Sequence, residues 1–479
     1  MRIYLLTHVL TSAVLVGAGL ASVKVYAAEP LRLASVFTDN AVLQRGQAVP
    51  VWGKGEPGQA VVVAFAGQEK SAKVDKDGRW MTHLDALAAS GKGQSLMARS
   101  GGEAIALGNV LVGEVWVCSG QSNMAFGLGG SINGKATIEA AGDDQLRLFN
   151  ARAQATDEPQ ESIGGSWAVD SSQSAGSFSA VGYYFGKALR KKLGVPVGLI
   201  KSAVGGTVAE AWTAREELEK NPTLKPLIDA QQQRLVAYSK VLATYKEREP
   251  KILEKYEAAV KKAKASGGRA PRKPRPPAHP SANKNRPIGL YNGSIAPLQP
   301  YAIRGAIWYQ GESNSSRGQQ YRTLFPAMIS SWRRAWGQGD FPFLFVQITP
   351  HRNMTPEVRE AQRVTTETTQ NTAMAVTTDI GHPTDIHPKQ KQPIGERLAL
   401  AARSLAYEED IEFSGPTYDS MSVEGNRVII NFKHLGGGLV AKDGELKGFF
   451  VYDKDKQVAG TAKIEGDTIA VSSDEISAP

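Results

Sequence analysis

A chain of 479 residues exceeds what one hydrophobic core of about 250–300 residues sustains, so two or three domains are expected. Hydrophobic residues at 42%, charged at 22% and aromatic at 8% exclude a disordered, collagen-like or polytopic membrane protein, and a single cysteine excludes an intramolecular disulfide framework or a cysteine-built zinc site. The net charge of +9 is local: nine Lys/Arg and no acidic residue fall between Lys261 and Arg286, the rest of the chain is balanced, and nucleic acid is not an expected partner.

At the N-terminus, Arg2 precedes an apolar stretch from Ile3 to about Val23, and Val25-Tyr26-Ala27 suits cleavage before Ala28. This predicts a signal peptide over 1–27, no stable membrane anchor, and a mature protein exported to the periplasm or outside. Over 28–107, short alternating segments (Val49 to Trp52, Val61 to Phe65, Trp80 to Thr82) broken by turns such as Gly55-Glu56-Pro57-Gly58 and Asp77-Gly78 predict a β-sandwich domain. From 108 to about 407, strands alternate with helices. Val115–Cys118, Val197–Ile200, Gly305–Tyr309, Phe343–Val346 and Ala373–Val376 read as strands, and Ser179 to Leu193, Tyr321 to Ala335 and Pro393 to Ala406 as helices. Repeated βα units predict a mostly parallel sheet covered on both faces, an α/β domain.

An insertion at about 214–287 interrupts this domain. Gln231 to Ala265 carries apolar residues at helical spacing among Lys, Glu and Ala, which predicts one or two helices, and the Pro-rich basic stretch behind them predicts a solvated loop. Residues 408–479 return to alternating β-type segments (Val428–Phe432, Gly448–Val451, Ile469–Val471) and form a β-rich region.

Candidate chemistry sits where loops follow strands of the α/β part, the place where open parallel sheets bind ligands. Ser122 in Gly120-Gln121-Ser122-Asn123-Met124 is a nucleophile candidate on a strand-to-helix turn, with a helix N-cap as its structural alternative. Gly205 and Gly206 offer backbone N–H groups to an oxyanion or simply make a turn, and Asn314 in Trp308-Tyr309-Gln310-Gly311-Glu312-Ser313-Asn314 offers a side-chain donor or an Asx-turn. Of seven histidines, His8, His83, His279 and His434 lie outside these loops, which leaves His351, His382 and His387. His387 has Asp385 two residues away, suited to orienting its ring, and Asp379 competes for that role. Asp379, His382, Asp385 and His387 also form a possible metal cluster, but such a site explains nothing about the other three loops, so no metal is expected. Cys118 lies in an apolar run and reads as packing.

Taken in order, Ser122, Gly206, Asn314 and His387 resemble the SGNH hydrolase superfamily, and the words GQSNM, GGTVAEAW, WYQGESN and DIHPKQKQPIGERLA resemble the sialate O-acetylesterase family of secreted carbohydrate esterases. LASVFTDNAVLQRGQAVPVWGKGEPG and SAVGYYFGKAL extend the resemblance over most of residues 31–471 outside the insertion. The resemblance implies an SGNH-type, flavodoxin-like α/β/α catalytic domain. It implies Ser122 as nucleophile, His387 as base and Asp385 as the acid holding it. The Ser122 and Gly206 backbone N–H groups and the Asn314 side chain are implied as the oxyanion hole, with Gly205 a competitor for the middle donor. The implied reaction is acetyl transfer from an O-acetylated sugar or glycan through an acetyl-serine, without cofactor. Acetylated xylan is the alternative substrate, and a non-catalytic carbohydrate-binding or anionic-polymer attachment protein is the alternative of another class.

Overall fold

The computed structural model describes residues 29–442 and 444–479; the expected signal peptide and its cleavage point lie outside the described residues. One long strand, β1 (Glu103–Gly120), organises the chain. Its first seven residues are largely exposed, and everything from Val110 to Gly120 is buried. The first half pairs antiparallel with Ser90–Ser100, which joins Ala60–Phe65 and Gln68–Lys73, while Val42–Gln44 runs parallel to Leu111–Gly113. A separate sheet of Arg32–Leu33, Val49–Lys54 and Arg79–Leu84 shows strict alternation of burial and turns Val49, Val51, Trp80 and Leu84 into a core shared with Val61, Val63, Phe65 and Leu96. The boundary expected at 107/108 falls inside β1, so the N-terminal strands and the central sheet are hydrogen-bonded through a single strand.

The second half of β1 enters the central sheet with β2 (Leu146–Asn150), β3 (Trp167–Val169), β4 (Val197–Ala203), β5 (Gly305–Tyr309), β6 (Phe343–Val346) and β7 (Thr372–Ala375). The order is β3-β2-β4-β1-β5-β6-β7, parallel throughout except for the antiparallel edge strand β3. The helices needed below are α1 (Ser122–Ala125), α2 (Ala180–Leu193), α3 (Lys225–Ala265), α4 (Gly318–Trp336), α5 (Pro356–Thr368) and α6 (Gln392–Tyr407). The period of two along each strand splits the core. Trp116, Cys118, Ile307, Tyr309, Leu344 and Val346 face α2 and α6, whereas Val115, Val117, Ala306, Trp308, Phe343 and Phe345 face α4 and α5. Burying each such side chain is worth about 1.5–3 kcal/mol, which is why these strands read as unbroken apolar runs. Because β1 has β4 on one side and β5 on the other, the loops after all three diverge and leave a crevice at their carboxyl ends.

The helix expected over 179–193 is α2, with the Ser179 hydroxyl capping Gly182 N–H and Gly194 closing it at φ 67°. In the insertion, α3 is a single 41-residue helix that begins at Lys225, ahead of the expected Gln231, and runs through Pro250. Gln231 is its one buried residue, so α3 is a solvated arm. The chain then returns along it: the Tyr238 hydroxyl donates to Pro277 O at 3.2 Å and its ring packs edge-on to His279, and Gln231 reaches Pro280 O. Four strands of the C-terminal region form an antiparallel sheet, Thr417–Glu424, Arg427–Lys433, Thr468–Ser472 and Thr461–Glu465 in that order, beside a small core of Val451, Ile469, Val471 and Ile476. No helix among the described residues is long and apolar enough to cross a membrane.

Candidate active site

β1 ends at Gly120, Gln121 is extended, and α1 starts at Ser122. Gln121 is therefore the residue at the helix cap, and the Ser122 hydroxyl is not spent on capping. It lies 2.8 Å from His387 Nε2. Both residues are half-buried, on a crevice rather than in the core. His387 arrives from the loop between β7 and α6, 265 positions along the chain, so the pairing is purely tertiary.

Burial pushes the His387 ring below the ordinary histidine value, the Lys391 cation pushes it the same way, and the Asp385 carboxylate opposes them. A neutral ring can accept the hydroxyl proton at neutral pH, the state a general base requires. Asp385 is exposed and accepts the His387 backbone N–H at 2.9 Å; it reaches His387 through the main chain rather than through the ring Nδ1. That hydrogen bond holds its carboxyl below the usual range. Asp379, the competitor, is engaged by both Arg397 nitrogens at 2.7 and 2.6 Å. His382 uses Nδ1 to accept Asp385 N–H and so folds the loop. Among the described residues, no three His, Cys, Asp or Glu side chains converge on a metal-sized point. His351 turns its Nδ1 to Asn353 N–H. Cys118 is fully buried, and burial pushes its thiol far up, which makes it packing.

The other two loops converge on Ser122. A Cβ placed on Gly205 would sit 3.4 Å from the Ser122 Cβ, and Gly206 has φ +66°, a conformation that favours glycine. Among the described hydrogen bonds neither glycine N–H has an acceptor. Asn314 is buried and held from three directions: its Oδ1 accepts Ala209 N–H at 2.9 Å and Gln310 Nε2 at 2.6 Å, and its Nδ2 donates to Glu210 Oε2 at 3.0 Å. Arg317 holds Glu210 in turn at 2.6 Å. One amide proton of Asn314 remains for a ligand.

Sequence reasoning missed the network beneath these groups. Asn123, beside Ser122 and fully buried, donates to Glu312 Oε1 at 2.6 Å and to Ile386 O at 3.0 Å, and accepts from Lys391 Nζ at 2.5 Å. It thereby ties α1, the loop after β5 and the histidine loop. Lys391 is buried over the rings of Phe126 and Tyr309, at 5.0 and 5.3 Å, and burial brings its ammonium down to about 7. Burial raises the Glu312 carboxyl, and its Oε2 has no partner among the described atoms. All three residues stand inside the quoted words: Asn123 and Glu312 are polar residues just after apolar strands, whereas Lys391 is a basic residue at the N-cap of α6, where a cation opposes the helix dipole.

A family profile described as carbohydrate esterase, sialic acid-specific acetylesterase, matches residues 112–266 and 289–404, more than half of the chain. Curated relatives include the sialate O-acetylesterases of Rattus norvegicus, 28% identical over 84% of this chain and 79% of that one, and of Homo sapiens, 29% identical over 84% and 76%. Among solved structures, a carbohydrate acetylesterase from Xanthomonas citri superposes with a TM-score of 0.77 at 34% identity, covering 94% of this chain and 92% of that one.

Proposed function

The chain belongs to the sialic acid-specific acetylesterase family of carbohydrate esterases and is a carboxylic ester hydrolase, and we propose that it removes O-acetyl groups from carbohydrates, O-acetylated sialic acid first among them, through an acetyl-serine on Ser122. The observation that carries this reading is the 2.8 Å contact between Ser122 Oγ and His387 Nε2.

In the proposed cycle His387 Nε2 takes the Ser122 proton as Oγ attacks the acetyl carbonyl. The oxyanion that forms is met by the N–H groups of Ser122 and Gly206 and by the remaining Asn314 amide proton, donors worth about 2.7–4 kcal/mol each when aimed at developing charge. Collapse breaks the ester C–O bond, and the sugar oxygen leaves with the proton from His387. Water, deprotonated by the same nitrogen, then attacks the acetyl-serine and releases acetate. No cofactor enters. Asp385, negative and fixed to the His387 backbone, steadies the imidazolium that forms twice.

An SGNH-type, flavodoxin-like catalytic unit is part of the proposal, supported by the order of β4, β1, β5, β6 and β7, which is 2-1-3-4-5 among themselves with β2 and β3 added at one edge. So is the division into a β-sandwich domain (28–107) and a catalytic domain (108–407) with its insertion, the two joined through β1, and a C-terminal β-rich region (408–479), and so is export through the sequence 1–27.

Acetate release measured in parallel on 9-O-acetylated sialic acid and acetylated xylan tests the reading, with a tagged fluorophosphonate as active-serine probe. The expected result is release from the sialic acid, abolished by a label that maps to Ser122. Release confined to xylan overturns the substrate, and a label on another residue overturns the mechanism.

The acid limb of kcat/KM on the same substrate reports His387. Since its folded value is depressed, the midpoint is expected below the ordinary histidine value of 6.5. Lys391→Met removes a cation that depresses it, so the midpoint moves up in that variant; an unmoved limb contradicts the assignment.

A further inference from the structure

The basic segment 267–288 falls in the gap between the two stretches matched by the family profile, yet its last residues return to the catalytic crevice. Lys284 Nζ donates to Gly205 O at 2.5 Å, Asn285 Nδ2 donates to Gly206 O at 3.0 Å, and Asn285 Oδ1 accepts Val208 N–H at 3.2 Å. Both carbonyls of the glycine turn that touches Ser122 are therefore held by two consecutive residues of the insertion. The holders are themselves fixed. Asn283 Oδ1 accepts Asn285 N–H, buried Arg286 pairs with Asp157 at 3.0 Å, and Ile288 N–H donates to Glu210 O, joining the group that secures Asn314.

In a planar trans peptide the carbonyl and the next N–H point in opposite directions. Fixing Gly205 O on the Lys284 side fixes Gly206 N–H on the other side, and an ammonium on the carbonyl polarises the peptide so that its N–H is a stronger donor. With glycine at both positions the backbone has little stiffness of its own, so outside contacts decide where that N–H points.

We propose that Lys284 and Asn285 are positioning residues for acyl transfer: they clamp the Gly205–Gly206 turn and aim the Gly206 N–H at the oxyanion, which makes the end of the basic insertion a working part of the active site. This inference rests on the esterase reading above. It assigns the insertion a role confined to its last residues, while the exposed basic side chains Arg269, Arg272, Lys273 and Arg275 contribute nothing to turnover.

The test uses p-nitrophenyl acetate, small and uncharged, so that recognition of a charged sugar is not at stake. Lys284→Met and Asn285→Ala are each expected to lower kcat about tenfold to a hundredfold with KM within about twofold, because loosening one oxyanion donor costs part of the 10²–10³-fold that losing it does. Lys284→Arg, which keeps a cationic donor, restores most of the rate. A variant with Arg269, Arg272, Lys273 and Arg275 all changed to Gln keeps the parent kcat. A Lys284→Met enzyme with kcat within twofold of the parent overturns the inference, as does a loss that the fourfold Gln variant shares. If the parent turns the ester over at a rate that fluorophosphonate labelling of Ser122 leaves unchanged, the acetyl-serine reading falls, and the inference with it.

Discussion

Ser122→Ala is expected to lower kcat for acetate release by about ten thousandfold to a millionfold while leaving the fold untouched. The hydroxyl has one described partner, His387 Nε2, and it opens on a crevice, so its loss orphans no buried group. A change in unfolding free energy within about 0.5 kcal/mol follows, as for substitutions away from structural features. The rate falls because nucleophile and base act as a unit. Without Oγ, the proton acceptor and the oxyanion donors can serve only direct attack by water, which retains about 10³–10⁴-fold over the uncatalysed reaction. His387→Ala is expected to cost about as much, and the double variant hardly more than either alone. Additive losses, or a Ser122→Ala enzyme within tenfold of the parent, contradict the covalent route. Steady-state acetate release with thermal unfolding of each variant measures both.

Three of the four proposed catalytic loops are legible in the sequence because each is written locally: an apolar strand, then a small or polar residue that no helix or strand requires. Ser122, Gly205-Gly206 and Asn314 all have that form, and the sheet order places their three strands side by side. What escaped was set by distant partners or by polar residues turned inward. The α5 helix buries Gln362 and Thr365 beside Val358 and Ala361, and Gln362 spends its amide on Gln310 O and Ile348 N–H, so its inner face lacks an apolar stripe. In β2 the buried Arg147 interrupts the run, satisfied by Asp144 O and Asn40. The full extent of β1 was hidden by Gly108-Asn109, which reads as a turn but sits within the strand, with Asn109 at φ +55°. The Asn123 network joins residues 189 and 268 positions apart, and no local pattern encodes such a pairing.

That network yields the second large effect. Asn123→Leu keeps the branched shape but leaves Lys391 Nζ and Glu312 Oε1 buried, and Ile386 O part-buried, without their shared partner. Removing one member of a buried ionisable set costs about 3–5 kcal/mol, so this variant is expected to lose that much stability and, with the histidine loop untied from α1, most of its activity. Replacing the set together, Asn123→Leu with Glu312→Met and Lys391→Met, removes the two ionisable orphans, leaves only Ile386 O without its donor, and should recover most of the stability. Activity should stay low, because nothing then ties Ile386, and with it His387, to the residue next to Ser122. The pH dependence separates the two enzymes further. Lys391 binds its proton with a value of about 7 in the fold and 10.5 when unfolded, so the unfolded chain holds more protons between those limits. The cost of burying Lys391 is therefore complete below pH 7 and shrinks as pH rises toward 10.5, by about 1.4 kcal/mol per unit. Relative to the triple variant, the parent should gain stability steadily across that window in urea unfolding. A flat difference, or a triple variant with parental activity, would show that the buried lysine and its asparagine do not hold the catalytic loops together.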